Sequence, residues 1–198
     1  MSRLTFILRS QPGELTFIDV FRDALEQVKE QHGFEFRYAQ FEQGSDDLGR
    51  HIYLETQERS ILDLVEDFAT PARYLIIEAA TQEEVHQLGE WLEEILPFVP
   101  LRELQQEARQ QIADNPQSLI RMAIGTGEIA DPISLKIIRS GINNENNLIR
   151  FKALAAASLT QWVEFIPDIL NLSQKDLVPE VREMADEALK ACYRRLQR

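Results

Sequence analysis

The stretch that decides the fold lies near the end of the chain and reads Ile166-Pro167-Asp168-Ile169-Leu170, followed eleven residues later by Val181-Arg182-Glu183-Met184-Ala185-Asp186-Glu187-Ala188-Leu189. Both segments carry apolar residues at helical spacing, and the short connection between them predicts an antiparallel pair of helices. Such pairs are the building unit of stacked helical repeats, which bind partners along an exposed face. The stretch therefore points to binding rather than to catalysis.

The same pattern occurs earlier in the chain. Leu148-Ile149-Arg150 aligns with Glu180-Val181-Arg182 at an offset of 32 residues, and this alignment also places two later alanines of each segment on each other. Leu119-Ile120-Arg121 lies 29 residues before the first of these segments and is a weaker third copy. Small alanines let neighbouring helices approach closely. The repetition favours a stack of helix pairs over a bundle.

This pattern resembles HEAT and armadillo-type repeats, whose second helix carries a valine and an arginine followed by spaced alanines. The resemblance covers about residues 116–196, at a shorter spacing than the roughly 40 residues usual for the family. It implies an all-α, HEAT-like domain over residues 101–198 with an extended, curved binding face. Because stacks need capped ends, we expect the preceding domain to cap one end of the stack.

Residues 1–97 predict a separate, acidic α/β domain that ends at the proline-rich segment Leu96-Pro97-Phe98-Val99-Pro100. The apolar patterns predict strands over 3–9, 34–39, 51–55 and 73–78, and helices over 16–31, 60–69 and 81–96. The second and third strands predict a hairpin with its tip at 43–49. The order β-α-β-β-α-β resembles the ferredoxin-like arrangement, an antiparallel sheet with two helices on one face. The chain as a whole is thus predicted to be α+β.

The open face of that sheet is a candidate for further contacts. Phe34, Phe36 and Tyr38 alternate along one predicted strand, and aromatic side chains in such positions need a cover. We favour packing or self-association of this face, so that a homodimer through the N-terminal domain stays open.

The charge of the chain is unevenly placed. Residues 1–100 carry 8 Lys and Arg against 20 Asp and Glu, whereas residues 101–198 carry 13 against 13, so the first half holds the whole net charge of −12. Nucleic-acid backbones and anionic membranes attract cationic surfaces, and both partners are therefore disfavoured. The chain has no apolar run of about 18 residues and only one cysteine, Cys192, from which we expect a cytoplasmic protein.

Five residues are candidates for contact with a protein partner. They are Arg121, Arg150 and Arg182, which occupy corresponding repeat positions, together with Lys152 and Trp162. The arginines could form a cationic ladder, but in this repeat class such arginines commonly hydrogen-bond to the adjoining turn, and we favour that role. A tryptophan can anchor a partner, although it more often packs in a core.

No nucleophile with a matching base, phosphate-binding loop or metal motif is recognisable, so we expect a protein that is not an enzyme and uses no cofactor. The favoured function is an adaptor that binds another protein through its helical repeats. Two alternatives stay open. HEAT-like repeats also build the phycobilin lyases, which implies a small-ligand or tetrapyrrole-handling protein, and an acidic first half would suit an inhibitor that neutralises a basic toxin.

Overall fold

A computed structural model of the chain describes residues 1–9, 17–44, 48–57, 59–67 and 72–197. The chain divides into two compact units, Met1–Val99 and Pro100–Arg198. The first contains an antiparallel sheet of five strands and two helices, and the second contains helices. The fold is therefore α+β.

The first unit is a sheet with helices on one face. Its elements, in chain order, are β1 (Ser2–Ile7), α1 (Phe17–His32), β2 (Phe36–Gln43), β3 (Leu48–Glu55), β4 (Ser60–Asp67), β5 (Ala72–Ala79) and α2 (Gln82–Ile95). The strands lie in the order β1-β5-β4-β3-β2, and every neighbouring pair is antiparallel. The hairpin predicted from the second and third strands is confirmed as β2 and β3, although residues 45–47 of its tip lie outside the described residues.

A capping box begins α2. The Thr81 hydroxyl accepts a hydrogen bond from the backbone N–H of Glu84 at 3.2 Å, and the Glu84 carboxylate accepts one from the N–H of Thr81 at 3.1 Å. These two bonds satisfy N–H groups that a helix start otherwise leaves without partners.

The aromatic residues of the second predicted strand lie on the helix-bearing face, not on the open one. Phe34 packs edge-on against Trp91 of α2, with the ring centroids 5.2 Å apart. Phe36 packs against the core between sheet and helices, and Tyr38 meets the ring of Tyr53 at 5.4 Å. The expectation that these aromatic residues lie on the open face is therefore wrong, whereas the homodimer stays a prediction.

The helix predicted over 60–69 is wrong, because Ser60–Asp67 forms the central strand β4. Leu62 and Leu64 belong to the core beneath the helices, whereas Asp63 lies on the opposite face, where it is 4% exposed. The Arg50 guanidinium of β3 donates from Nε to Asp63 Oδ2 at 2.9 Å and so offsets the burial of the carboxylate. The expected order, β-α-β-β-α-β followed by a helix, is thus replaced by β-α-β-β-β-β-α. Phe68 and Ala69 of the predicted helix lie outside the described residues.

The second unit consists of three helix pairs. Its helices are α3 (Leu101–Gln111), α4 (Gln117–Ile124), α5 (Pro132–Ile142), α6 (Asn147–Thr160), α7 (Ile166–Lys175) and α8 (Pro179–Leu196), with a short 3-10 helix at Val163–Phe165. Within each pair the two helices pack together. The first helices of the pairs contact one another in the order α3, α5, α7, and the second helices do so in the order α4, α6, α8. The unit is therefore a two-layered stack. No helix in the described part of the chain is both long and apolar enough to cross a membrane.

The close approach of α5 and α6 depends on a glycine. A Cβ at Gly141 would lie 2.8 Å from the Cβ of Ala153 and 3.1 Å from Cδ1 of Leu119. The methyl of Ala153 is fixed to its backbone, so this contact can be relieved only by moving a helix.

We predict that Gly141→Ala destabilises the helical unit by about 1 kcal/mol or more. Alanine gains about 0.5–1 kcal/mol of helix propensity over glycine, but overpacking a filled site costs about 1–3 kcal/mol, so the overpacking term dominates. Urea unfolding followed by circular dichroism measures the change. Gly127→Ala is the control, since nothing lies within 4 Å of a Cβ there. Equal stabilities of the two variants would contradict the prediction.

Candidate interaction surface

Two of the repeated arginines bind the turn that precedes their own helix. Arg150 of α6 donates from one terminal nitrogen to the carbonyl oxygens of Asn144 at 3.0 Å and Glu145 at 2.8 Å. Arg182 of α8 donates in the same way to the carbonyl oxygen of Asp176 at 2.7 Å. In both helices the arginine follows the turn acceptor by six residues. These bonds satisfy turn carbonyl groups that lie outside the regular hydrogen bonding of the helices.

Arg150 also reaches the turn of the next helix pair. Its Nε lies 2.6 Å from Asp176 Oδ2 and its second terminal nitrogen lies 2.9 Å from Asp176 Oδ1, which is a bidentate pair. The Asp176 side chain is 3% exposed and that of Arg150 is 14% exposed. The hydrogen bond from Arg150 is the main cause that lowers the pKa of Asp176, and the backbone N–H of Val178 adds to it. Arg150 thus joins two successive turns.

The third copy of the repeat differs. Arg121 of α4 lies with a terminal nitrogen 3.5 Å from Glu107 Oε1 of α3, and its buried Nε has no hydrogen-bond partner among the described residues. Its sequence copy is the weakest of the three, and its contacts differ correspondingly from those of Arg150.

The other two candidates lie in different surroundings. Trp162 is 1% exposed and stacks on Phe165 with the ring centroids 5.9 Å apart, so its indole belongs to the core. Its carbonyl oxygen lies 3.5 Å from the thiol of Cys192, whose pKa burial raises to about 11. Lys152 is half-buried, with Nζ 5.9 Å from the centroid of the Phe151 ring. The five predicted residues therefore do not form one surface site.

The surface that the sequence interpretation missed lies where α8 faces α6. An open depression of about 550 Å³ is lined by Phe151 of α6 and by residues of α8: Glu180, Glu183, Met184, Asp186, Glu187 and Lys190. We call it the acidic groove. Phe151 and Met184 are half-buried and supply its apolar part, and the rest of the lining consists of four carboxylates and Lys190. Such a site can bind a cationic, partly apolar group.

The charge of α8 changes along its exposed side. Beyond the acidic groove, a second open depression of about 420 Å³ is lined by Glu187, Lys190, Tyr193, Arg194 and Gln197. Lys190 donates to Glu187 Oε1 at 2.7 Å, and this bond lowers the pKa of the Glu187 carboxyl. The exposed side of α8 therefore runs from acidic to basic, in the order that complements the helix dipole.

A signal for the groove exists in the repeat alignment. Lys152 and Met184 occupy corresponding positions at the offset of 32 residues, two places after the repeat arginines. The side chains of Arg150 and Arg182 bind the turns before their helices. Lys152 and Met184, two residues later, are partly exposed on the outer side of the same helices. The positions after each arginine were therefore better candidates than the arginines themselves.

Neither metal-ligating side chains nor similarity to known proteins indicates a further site among the described residues. Across the ranges that the structure describes, no three His, Cys, Asp or Glu side chains group as they would around a metal ion. No protein-family model, curated protein or solved structure matches this chain.

We predict that Arg150→Gln destabilises the helical unit by about 2–4 kcal/mol, because it leaves the buried Asp176 carboxylate and two turn carbonyls without their partner. Lys152→Gln, two residues away on the same helix, should change the free energy of unfolding by less than about 1 kcal/mol. Urea titrations at neutral pH measure both. A loss for Lys152→Gln as large as that for Arg150→Gln would contradict a specific role of the arginine.

The Arg150 contribution should depend on pH. Since the folded-state pKa of Asp176 is lowered from 3.8, the ion pair stabilises the fold fully above that value and is lost as the pH falls through the folded-state pKa. The difference in unfolding free energy between the wild type and Arg150→Gln should stay constant from about pH 7 to about pH 5 and shrink below about pH 4. Urea titrations over this range test it, and a difference that grows on acidification would refute the assignment.

Proposed function

We propose that this chain is a non-enzymatic protein-binding protein that uses the acidic groove of a HEAT-like stack to hold a basic segment of another protein. The observation that carries the proposal is the groove itself, in which Phe151 and Met184 are lined by four carboxylates against a single cation, Lys190, which is bound to Glu187. A partner segment with lysine or arginine beside an apolar side chain would complement both features.

The HEAT-like part of the proposal rests on the helical unit. Its helices form two layers, each in contact with its counterparts in the neighbouring pairs. Arg150 and Arg182 each bind the turn before their helix, which is the role that the resemblance implies for such arginines. These observations support a short helical stack whose outer faces are available for binding.

The two components of the groove would contribute differently. The carboxylates attract a cationic segment over distances up to about the Debye length, and they favour it over acidic competitors. Burial of an apolar side chain against Phe151 and Met184 would supply most of the affinity, since rim charges add little by themselves. Methionine suits such a contact because its unbranched side chain adapts to differently shaped groups.

Affinity capture from source cells with the full chain tests the proposal. The wild-type chain should retain a stoichiometric protein, and Glu183→Lys/Glu187→Lys should weaken its retention about tenfold or more, because two attractive rim charges become repulsive. Cross-linking should place a lysine-rich segment of the captured protein next to α8.

A control variant separates local from global charge effects. Glu93→Lys/Glu94→Lys makes the same change in net charge at exposed positions of α2 and should leave the captured protein in place. Retention of the partner by the groove variant, or equal loss from both variants, would refute the groove as the binding site. A purified protein that carries a bound pigment and captures no protein would favour the tetrapyrrole alternative instead.

A further inference from the structure

Among the described residues, one edge strand of the sheet in the first unit has no neighbour on its outer side and carries aromatic side chains. The opposite edge, β1, is extended by the segment after α2: the Val99 N–H donates to the Ile7 carbonyl at 2.8 Å and the Arg9 N–H donates to the Pro97 carbonyl at 2.8 Å. β2 pairs with β3 on one side only, and its residues 37–41 are all exposed. Unpaired edge strands are the positions at which sheets add further strands.

A β-bulge in the middle of β2 determines which side chains share a face. The register shifts between Tyr38 and Gln40, so that Tyr38 lies opposite Tyr53 and Phe41 lies opposite His51. Tyr53 and His51 are two residues apart in β3 and therefore lie on one face. Tyr38 and Phe41, which would lie on opposite faces in a regular strand, consequently lie on the same face, where they are 47% and 50% exposed.

Two charged residues of β2 lie on the opposite face of the strand. Arg37 lies opposite Leu54 and Glu42 lies opposite Arg50, so both project from the face away from Tyr38 and Phe41. On one side of the bulge Tyr38 is followed outward by Arg37, and on the other side Phe41 is followed outward by Glu42. Each side therefore presents an aromatic residue on one face and a charged residue on the other face, and the two charges are opposite.

We propose that β2 pairs antiparallel with β2 of a second copy of the chain, with the two bulges facing each other across a twofold axis. This register places Arg37 opposite Glu42 of the second copy and Tyr38 opposite Phe41 of the second copy. By symmetry each contact occurs twice. Opposite-charge and aromatic cross-strand pairs are the pairs that stabilise antiparallel sheets. The proposal concerns the first unit and does not depend on the acidic groove.

A second copy fits this edge better than an unrelated strand. A bulge places two residues against one and interrupts the ladder that a regular strand would need. The second copy carries the same irregularity at the same place, so the flanking residues stay in register. Both charged residues already have interactions within their own chain: Glu42 accepts hydrogen bonds from Gln40 at 2.6 Å and Arg50 at 3.3 Å, and Arg37 is also engaged. A carboxylate has about four acceptor positions and a guanidinium has about five N–H donors, so each can bind a further partner.

Exchange of the charges tests the register. The full chain should be dimeric in sedimentation equilibrium at concentrations up to about 0.1 mM. Arg37→Glu alone faces Glu42 with a like charge and Glu42→Arg alone faces Arg37 with a like charge, so each should dimerise at least about tenfold more weakly. An equimolar mixture of the two variants restores both opposite-charge pairs and should recover the dimer as a heterodimer.

The proposal fails if the chain does not dimerise through the β2 edge. A wild-type monomer at about 0.1 mM would exclude the pairing, and a dimer unaffected by either single variant would place the contact elsewhere. If Glu42→Arg unfolds through its contact with Arg50, Phe41→Lys decides, with Gln27→Lys on the exposed side of α1 as its control. Phe41→Lys must weaken the dimer at least about tenfold and Gln27→Lys must not.

Discussion

The helical unit depends on one guanidinium that is held by two turns. Arg150 binds the carbonyl groups of the turn before its own helix and the carboxylate of Asp176 in the turn before α8. A single planar side chain thereby fixes the spacing between two successive helix pairs. Because both side chains of the pair are nearly buried, each needs the other, and neither is available to a partner.

Under the proposed function, this constraint places the binding surface on the outer sides of the helices. Close packing of the layers uses the inner residues, as at Gly141 and Ala153, and the turns use the arginines. What remains for recognition is the set of side chains that neither role occupies. Phe151 and Met184 belong to that set, and they line one depression because the stack brings α6 beside α8.

Sequence patterns predicted most elements but failed at β4, for a physical reason. Ile61, Leu62, Leu64 and Val65 leave one acidic gap at Asp63, and this spacing fits a helix face as well as a strand that is covered on both sides. The helical interpretation assumes that Asp63 faces water. In the structure its charge is met by Arg50 from a strand 13 residues earlier, a long-range contact that no local pattern contains. The pairing of β4 with its neighbouring strands thus determined its secondary structure, although its local apolar pattern also fits a helix.

The candidate site was predictable only in part, since its residues come from different repeats. The arginines were recognisable from their recurrence, and the bonds of Arg150 and Arg182 to the turns agree with the structural role that the sequence favoured, whereas Arg121 contacts Glu107 of α3 instead. The burial of Trp162 could not be read from its neighbours in sequence, because its surroundings include Cys192, 30 residues later. The acidic groove required knowing which side of each helix faces outward.

The position of the groove carboxylates explains how α8 tolerates them. Glu183 and Glu187 stand four residues apart on α8, and like charges at this spacing repel each other weakly. Carboxylates near the start of a helix gain about 0.3–1 kcal/mol from the helix dipole, as Glu180 does in the first turn of α8, and Lys190 binds Glu187 from the following turn. The favourable contributions match or exceed the repulsion. Helix α8 can therefore carry several carboxylates near its start at little cost in stability. The same carboxylates in the last turn of α8 would interact unfavourably with the negative end of the helix dipole.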